Sequence, residues 1–284
     1  MIFPRFRILA LAAATSVAAV SGAYSADLPL AAPVMPEFSG WYLRGDIGFS
    51  NQSVRSLFNA NYAGFTSVTN IDKGFDAAPF FGLGVGYTVN TWLRFDVTGE
   101  YRGAANFHGL DVGALPVCLG AAPCFADDRY TASKSEWTFL FNGYVDLGTW
   151  WSLTPFIGAG VGASRNTISN FGDLAICLDS SNCAAAGGSD AFAGTASKWN
   201  FAWALHAGIA YQIWRNATIE LAYRYIDLGN ARSGDVARFD GTNQFNNPME
   251  FHHLTSQDVK LGVRFNLGSG YDYQAPPPPL RNKG

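Results

Sequence analysis

Four cysteines and four histidines are the residues of this 284-residue chain with the widest chemical reach. The cysteines fall as two close pairs, Cys118 and Cys124 in "CLGAAPC", and Cys177 and Cys183 in "CLDSSNC". A metal centre needs four convergent ligands, and the histidines lie elsewhere in the sequence. In an oxidising compartment such pairs are expected to be two short-loop disulfides. His206 in "WALHAGIA" is expected to face a polar interior and to hydrogen-bond there. His252 and His253 stand where a long loop meets the last strand. A haem or metal contact there is conceivable, but simple exposure of polar residues explains them more economically. "GLGVG" and "GAGVG" lack the following helix that a nucleotide-binding loop requires. No Ser–His–acid grouping gathers at one strand end. The expectation is a non-enzyme with no catalytic site, no metal site and no cofactor.

The remaining chemistry is ionic, and its spacing is two. In "DVKLGVRFNL" (residues 258–267), Asp258, Lys260 and Arg264 alternate with Val259, Leu261, Val263 and Phe265. The same period sets Arg44 and Asp46 opposite Trp41, Leu43, Ile47 and Phe49. It sets Arg94, Asp96, Glu100 and Arg102 opposite Leu93, Phe95, Val97 and Tyr101. Glu136 and Asp146 oppose Trp137, Phe139, Phe141 and Val145, and Glu220 and Arg224 oppose Ile219, Leu221, Tyr223 and Tyr225. Alternation at period two is the mark of a strand with two unlike faces. Seven acids and six bases on one face form a nearly neutral network that fills a closed interior, provided every ion finds a partner.

Eight segments carry this pattern. Besides those above, "PFFGLGVGYTV", "TPFIGAGVGAS" and "KWNFAWALHAGIAYQ" alternate apolar residues with Gly, Asn, His or Gln. The connections "VNTW", "GTWWS" and "IWRN" are short, whereas the other four gaps are long and rich in Gly, Ala, Asn, Asp and Ser. An even strand number with short turns at one end and long loops at the other describes an all-β, eight-stranded antiparallel transmembrane β-barrel with four long extracellular loops. A soluble lipocalin-like barrel would turn its apolar faces inward instead. Tryptophan placement decides between the two. Trp41, Trp92, Trp150, Trp151 and Trp214 sit at the short-turn ends, and Trp137, Trp199 and Trp203 near the long-loop ends, as two interfacial belts. Ten residues at about 3.3 Å each, tilted by about 40°, span about 25 Å, the height of the apolar band of such barrels. The interior of eight strands is filled by side chains, and a wide porin would need 16 or more strands.

The ends of the chain read differently. Arg5 and Arg7, an apolar run from Ile8 to Val20 and the small residues of "SGAYSADLP" form a cleavable export signal over residues 1–25. Residues 26–39 are a Pro-punctuated periplasmic lead, 40–267 the barrel, and 268–284 a Pro-rich tail expected to be extended and disordered. Without Arg5 and Arg7 the chain holds 17 basic and 22 acidic residues, a formal net charge of −5. That balance excludes a basic nucleic-acid footprint. Only 14% of residues are charged and 15% are aromatic, whereas soluble domains carry roughly a quarter charged.

"ADLP", "GWYLRGDIG", "TPFIGAGVG", "ELAYRYIDLG" and "DVKLGVRFNL", in this order, resemble the small outer-membrane β-barrel proteins of alphaproteobacteria, the "porin family", related in fold to the OmpA transmembrane domain. The resemblance implies an abundant protein of the cell outer membrane with a structural, envelope-integrity role. In some members it implies host-surface interaction or ligand binding; for this chain the alternatives to the structural role are an adhesin or ligand-binding protein, with haem as one ligand, acting through its extracellular loops, and a narrow porin-like channel. Implied partners are outer-membrane lipid and lipopolysaccharide, the barrel assembly machinery, and host or environmental surface ligands. Lys260, Gly262, Phe265 and Leu267 resemble the assembly machinery's recognition signal, although here the chain continues past the strand.

Overall fold

A computed structural model describes residues 40–116, 124–178, 188–243 and 245–267. The signal segment, the lead, the tail, Cys118 and Cys183 lie outside these residues. The structure is antiparallel β throughout, with one short 3-10 turn at Ala60–Gly64. The strands are β1 (Gly40–Phe58), β2 (Ser67–Phe75), β3 (Ala78–Thr88), β4 (Leu93–Leu115), β5 (Cys124–Asp146), β6 (Leu153–Cys177), β7 (Gly188–Ala193), β8 (Ala196–Trp214), β9 (Ala217–Arg232), β10 (Val236–Arg238) and β11 (Glu250–Asn266).

Eight of these strands close a ring in the order β1, β3, β4, β5, β6, β8, β9, β11. The seam that closes it pairs the first and last strands, from Tyr42 opposite Asn266 to Phe58 opposite Glu250. Closure leaves no backbone edge within the ring, which is the condition for a sheet to stand in hydrocarbon. The tight connections are those read from the sequence. That between β5 and β6 turns on Gly148, Trp151 and Ser152, all at positive φ.

The two faces of every ring strand follow the sequence alternation. Leu83 is 72% exposed on the outside, whereas Arg94 is 0% exposed on the inside. That is the reverse of a water-soluble barrel. The outward face also changes character at one height. On β5, Val145, Phe141, Phe139 and Trp137 give way to Ser135, Ser133, Thr131 and Arg129; on β6, Val161 and Ala163 give way to Arg165, Thr167 and Ser169. On β1, Phe49 is followed by Asn51, Ser53 and Arg55. Aromatic rings mark the border: Trp137 packs against Tyr101 with centroids 4.9 Å apart, and Phe139 stacks on both Trp137 and Trp199.

The strands do not stop at that border. β4, β5 and β6 are 23, 23 and 25 residues long, whereas a tilted transmembrane strand needs about 9–11. Much of what composition marks as loop is therefore strand. β2 pairs with β4, β7 with β6, and β10 with β7, all within these long connections. They extend the wall beyond the membrane band on the side opposite the tight turns.

Inside, the contents are layered. The charged network fills the half near the tight turns. Above it lies an apolar layer containing Val54, Leu57, Phe75, Phe107, Ile168, Phe171, Ile226, Leu228, Phe251 and Leu254. Phe107 touches both Phe75 and Phe251, with centroids 5.0 Å away in each case. The thirteen-ion network occupies the membrane half of the bore, and the apolar layer is built largely from residues outside the segments that carry the alternation.

Candidate functional site: the charged interior and the outer cavity

All thirteen predicted interior ions face inward. Arg224 is the hub. Its Nη1 and Nη2 donate to Glu100 at 2.8 and 2.6 Å, and its Nε donates to Asp258 at 2.9 Å. Arg102 grips Asp258 through two 2.7 Å bonds and lies 2.6 Å from Glu136. Such paired, charge-assisted contacts are the strong form of hydrogen bond. Closer to the tight turns, Arg44 binds Asp46 and Asp96 at 2.8 and 2.6 Å. Glu220 is approached by Arg94, Arg264 and Arg44, at 3.2, 3.2 and 3.3 Å. Arg94 also lies 3.3 Å from Asp146 and spreads over the ring of Tyr144, 4.1 Å from its centroid. Lys260 completes the set beside Asp46 at 3.6 Å.

Alternation reading missed one member. Lys134, fully buried on β5, donates to Glu136 and, at 2.7 Å, to Gln52. It balances the seven acids with a seventh base. The signal was present in "ASKSEW", where Lys134 and Glu136 share a parity, but it lies outside the aromatic segment that defined the strand.

The inward glycines are required by this filling. A Cβ on Gly86 would collide with the ring of Tyr42, and one on Gly82 would come within 2.6 Å of Glu100 Cγ. Glycine on β3 is what lets long side chains of the neighbouring strands β1 and β4 lean over it.

His206 is buried and faces in. Its Nε2 lies 3.2 Å from Asn142 Oδ1, and its ring packs against Tyr144. His252 and His253 belong to an irregularity of β11, where the pairing with β9 shifts register. His253 has φ 57°, its N–H donates to Asn230 Oδ1 at 2.8 Å, and its ring lies 3.7 Å from Asp227. His252 lies 3.0 Å from Glu250. A bulge with flanking carboxylates accounts for both. Among the described residues no group of three His, Cys, Asp or Glu side chains converges as metal ligands do. Cys124 and Cys177 stand at the outer ends of β5 and β6, and neither is free. Lys260 points inward, Phe265 outward, and the Leu267 N–H donates to the Trp41 carbonyl at 2.8 Å across the closing seam.

A second site lies beyond the apolar layer, in the extended wall. A cavity of about 700 Å³ is bordered by the 59–65 turn, the outer ends of β5 and β6, β10 and residues 238–243 and 245–247. Asp111, Asp128 and Asp173 come together here across adjacent strands, since Asp111 pairs with Asp128 and Tyr130 with Asp173. The Tyr62 hydroxyl and the Asn70 amide both donate to Asp111. Burial, together with the charges of Asp111 and Asp127, pushes the Asp128 carboxyl up to about 6. Burial and the charges of Asp128 and Asp111 push Asp173 up to about 8. Desolvation disfavours a charged carboxylate, and neighbouring like charge adds to it. Alternation could not find this cavity, because the residues that line it come from segments lacking the strand pattern.

A closed ring of eight antiparallel strands, apolar and aromatic toward lipid and ionic within, is a transmembrane β-barrel of the outer-membrane type. The chain belongs to the outer membrane protein beta-barrel domain family, whose model matches residues 8–266, and it is a protein of the cell outer membrane. An uncharacterized protein of Brucella suis is 32% identical over 283 residues, covering 88% of this chain and 95% of the relative. A Rickettsia rickettsii protein, named as a candidate adhesin, is 29% identical over 233 residues, covering 80% and 88%. Among solved structures, Neisserial surface protein A aligns with 80% of this chain and 97% of its own, at 16% identity and a TM-score of 0.40.

Proposed function

We propose that this protein is a closed, non-conducting barrel that contributes to envelope integrity and works mainly as a surface-recognition protein, through the β-structure it raises above the membrane. One observation carries this reading: β4, β5 and β6 run to 23, 23 and 25 residues. The excess beyond the bilayer folds around its own apolar layer and cavity. A staple confined to the membrane needs none of it. The adhesin name of the Rickettsia rickettsii relative agrees with this assignment.

The closed bore is supported by the geometry of its ions. Eight strands leave a lumen about wide enough for side chains, and Arg44, Arg94, Arg102 and Arg224 cross it to carboxylates on other strands. A non-enzymatic role is supported by the same pairing, since these carboxylates are committed to guanidinium partners rather than held open to a substrate. We further assign residues 1–25 to an export signal, Cys118–Cys124 and Cys177–Cys183 to loop disulfides, and Lys260, Gly262, Phe265 and Leu267 to barrel assembly.

Two measurements test the reading. Full-length protein in planar bilayers is expected to give no large steady conductance; a sustained open channel refutes the closed bore. Bacteria displaying the protein are expected to adhere to host-cell monolayers. Adherence should disappear when the β4–β5 hairpin is shortened to a tight turn joining Arg102 to Glu136. Adherence unchanged by that truncation refutes the recognition role.

A further inference from the structure

The outer cavity is lined by a particular mixture of groups. Four aromatic rings, Tyr62, Phe65, Tyr130 and Phe245, border it, and carboxamides and carboxylates such as Asn61, Asn243 and Asp128 make up much of the remaining wall. Its volume, about 700 Å³, falls within the range of small-molecule sites, about 300–1,000 Å³.

The walls are braced before any ligand arrives. The ring of Phe65 lies on the backbone of Gly113, where an added Cβ would come within 2.6 Å of Cε1. Asn59 Nδ2 donates to the Asn247 carbonyl at 2.9 Å, and the Asn247 N–H donates to Asp235 Oδ1 at 2.8 Å. Tyr62 is tied to Asp111. Pre-ordered walls reduce the entropic cost of binding. The Asp173 Oδ1, by contrast, has no hydrogen-bond partner. That oxygen is enclosed, so Asp173 meets the cavity through the rest of its side chain.

Charge narrows the ligand class. Arg238 and Asp240 both line the cavity and offset one another. Asp173, held up to about 8 by burial, keeps its proton at neutral pH and acts as donor and acceptor at once. An anion would meet Asp128 and Asp240, whereas an organic cation would meet Arg238. A pyranose ring presents an apolar C–H face and a rim of hydroxyls, each both donor and acceptor. Aromatic rings suit the first, while Asn, which offers a donor and an acceptor on one planar group, suits the second.

We propose that the outer cavity binds a neutral, hydroxyl-rich ligand: a hexose unit of a short glycan met at the cell exterior. This rests on the surface-recognition reading and supplies its ligand class.

The test is saturation-transfer difference NMR on the full-length protein in micelles, with methyl β-galactoside, N-acetylglucosamine and lactose as neutral probes. Spermidine and sialic acid are the charged probes. At least one neutral sugar is expected to show saturation transfer at its ring protons. Affinity should fall by about tenfold or more in Phe245→Ala and in Asn243→Ala, both exposed loop changes at a contact surface. Arg129→Ala, on the outer face of β5, should leave it unchanged. Folded, heat-modifiable migration certifies each variant. No transfer to any neutral sugar, transfer only to a charged probe, or sugar signals that survive both variants overturns the proposal. Adherence measured on the same bacteria separates the two claims: cells that adhere while no sugar binds refute the glycan assignment and leave surface recognition intact.

Discussion

Replacing Arg224 by methionine tests what the charged interior contributes. Methionine retains most of the length and removes the charge. Asp258 would lose one partner but keep both 2.7 Å bonds from Arg102. Glu100 would lose both short bonds from Arg224, and its nearest remaining cation is Lys260, 4.0 Å away. The cost therefore arises at Glu100, a buried carboxylate stripped of its close partner. Breaking a buried pair from one side costs about 3–5 kcal/mol, whereas exchanging both partners for apolar groups of similar volume is often near neutral. Arg224→Met alone should thus lose about 3–5 kcal/mol, and Arg224→Met with Glu100→Leu should recover most of it. The assay is urea titration in lipid vesicles, following the folded, heat-modifiable band on gels. Equal losses in the single and double variants would refute the reasoning, because the loss would then come from packing and not from a stranded charge.

Three other outcomes are expected. Val263 faces lipid and Arg264 faces the bore, so Val263→Arg should lose about 2–4 kcal/mol of membrane stability; Arg264→Gln, at the mouth beside Glu220, should lose less, and equal folding yields for the two would invert the assigned faces. Asp173 sits at about 8 in the folded protein against an ordinary value near 3.8, so the folded state keeps a proton that the unfolded state has released. Stability of the outer wall should fall as pH rises from about 4 to about 8, by up to about 1.4 kcal/mol per unit. Amide exchange at the outer ends of β5 and β6, corrected for intrinsic rate, should show that slope in the native protein and a shallower one in Asp173→Asn. Each assigned disulfide closes a loop of about seven residues and should contribute at the low end, about 2–3 kcal/mol. Treating intact cells with an impermeant reductant and then a bulky thiol label should tag four cysteines on a barrel that still migrates as folded. Thiols that label before reduction would refute the pairing.

Local pattern alone assigned the face of each ring strand that meets lipid. Period-two alternation needs no knowledge of neighbouring strands, so Val259, Leu261, Val263 and Phe265 announce an outward face, and Asp258, Lys260 and Arg264 an inward one. The tight turns and tryptophan positions then indicated strand number and membrane height. Beyond the membrane border that local rule stops working, for an identifiable reason. β4 keeps even-numbered residues inside up to Arg102 and then turns Ala105 and Phe107 inward, across a register shift against β5. β6 does the same between Ile168 and Phe171, with Asn170 at φ 51°, and β11 between Phe251 and Leu254, with His253 at φ 57°. Each extra residue reverses the parity of the rest of its strand. Inward residues there no longer match the pattern below, and weak strand formers such as Gly, Ala and Asp are held by pairing with neighbours distant in sequence. The ion partners are non-local too: Arg102 and Asp258 stand 156 residues apart. Their meeting depends on how far each strand is staggered around the ring, a quantity carried by no single segment. The apolar layer and the outer cavity were therefore settled only when the ring closed.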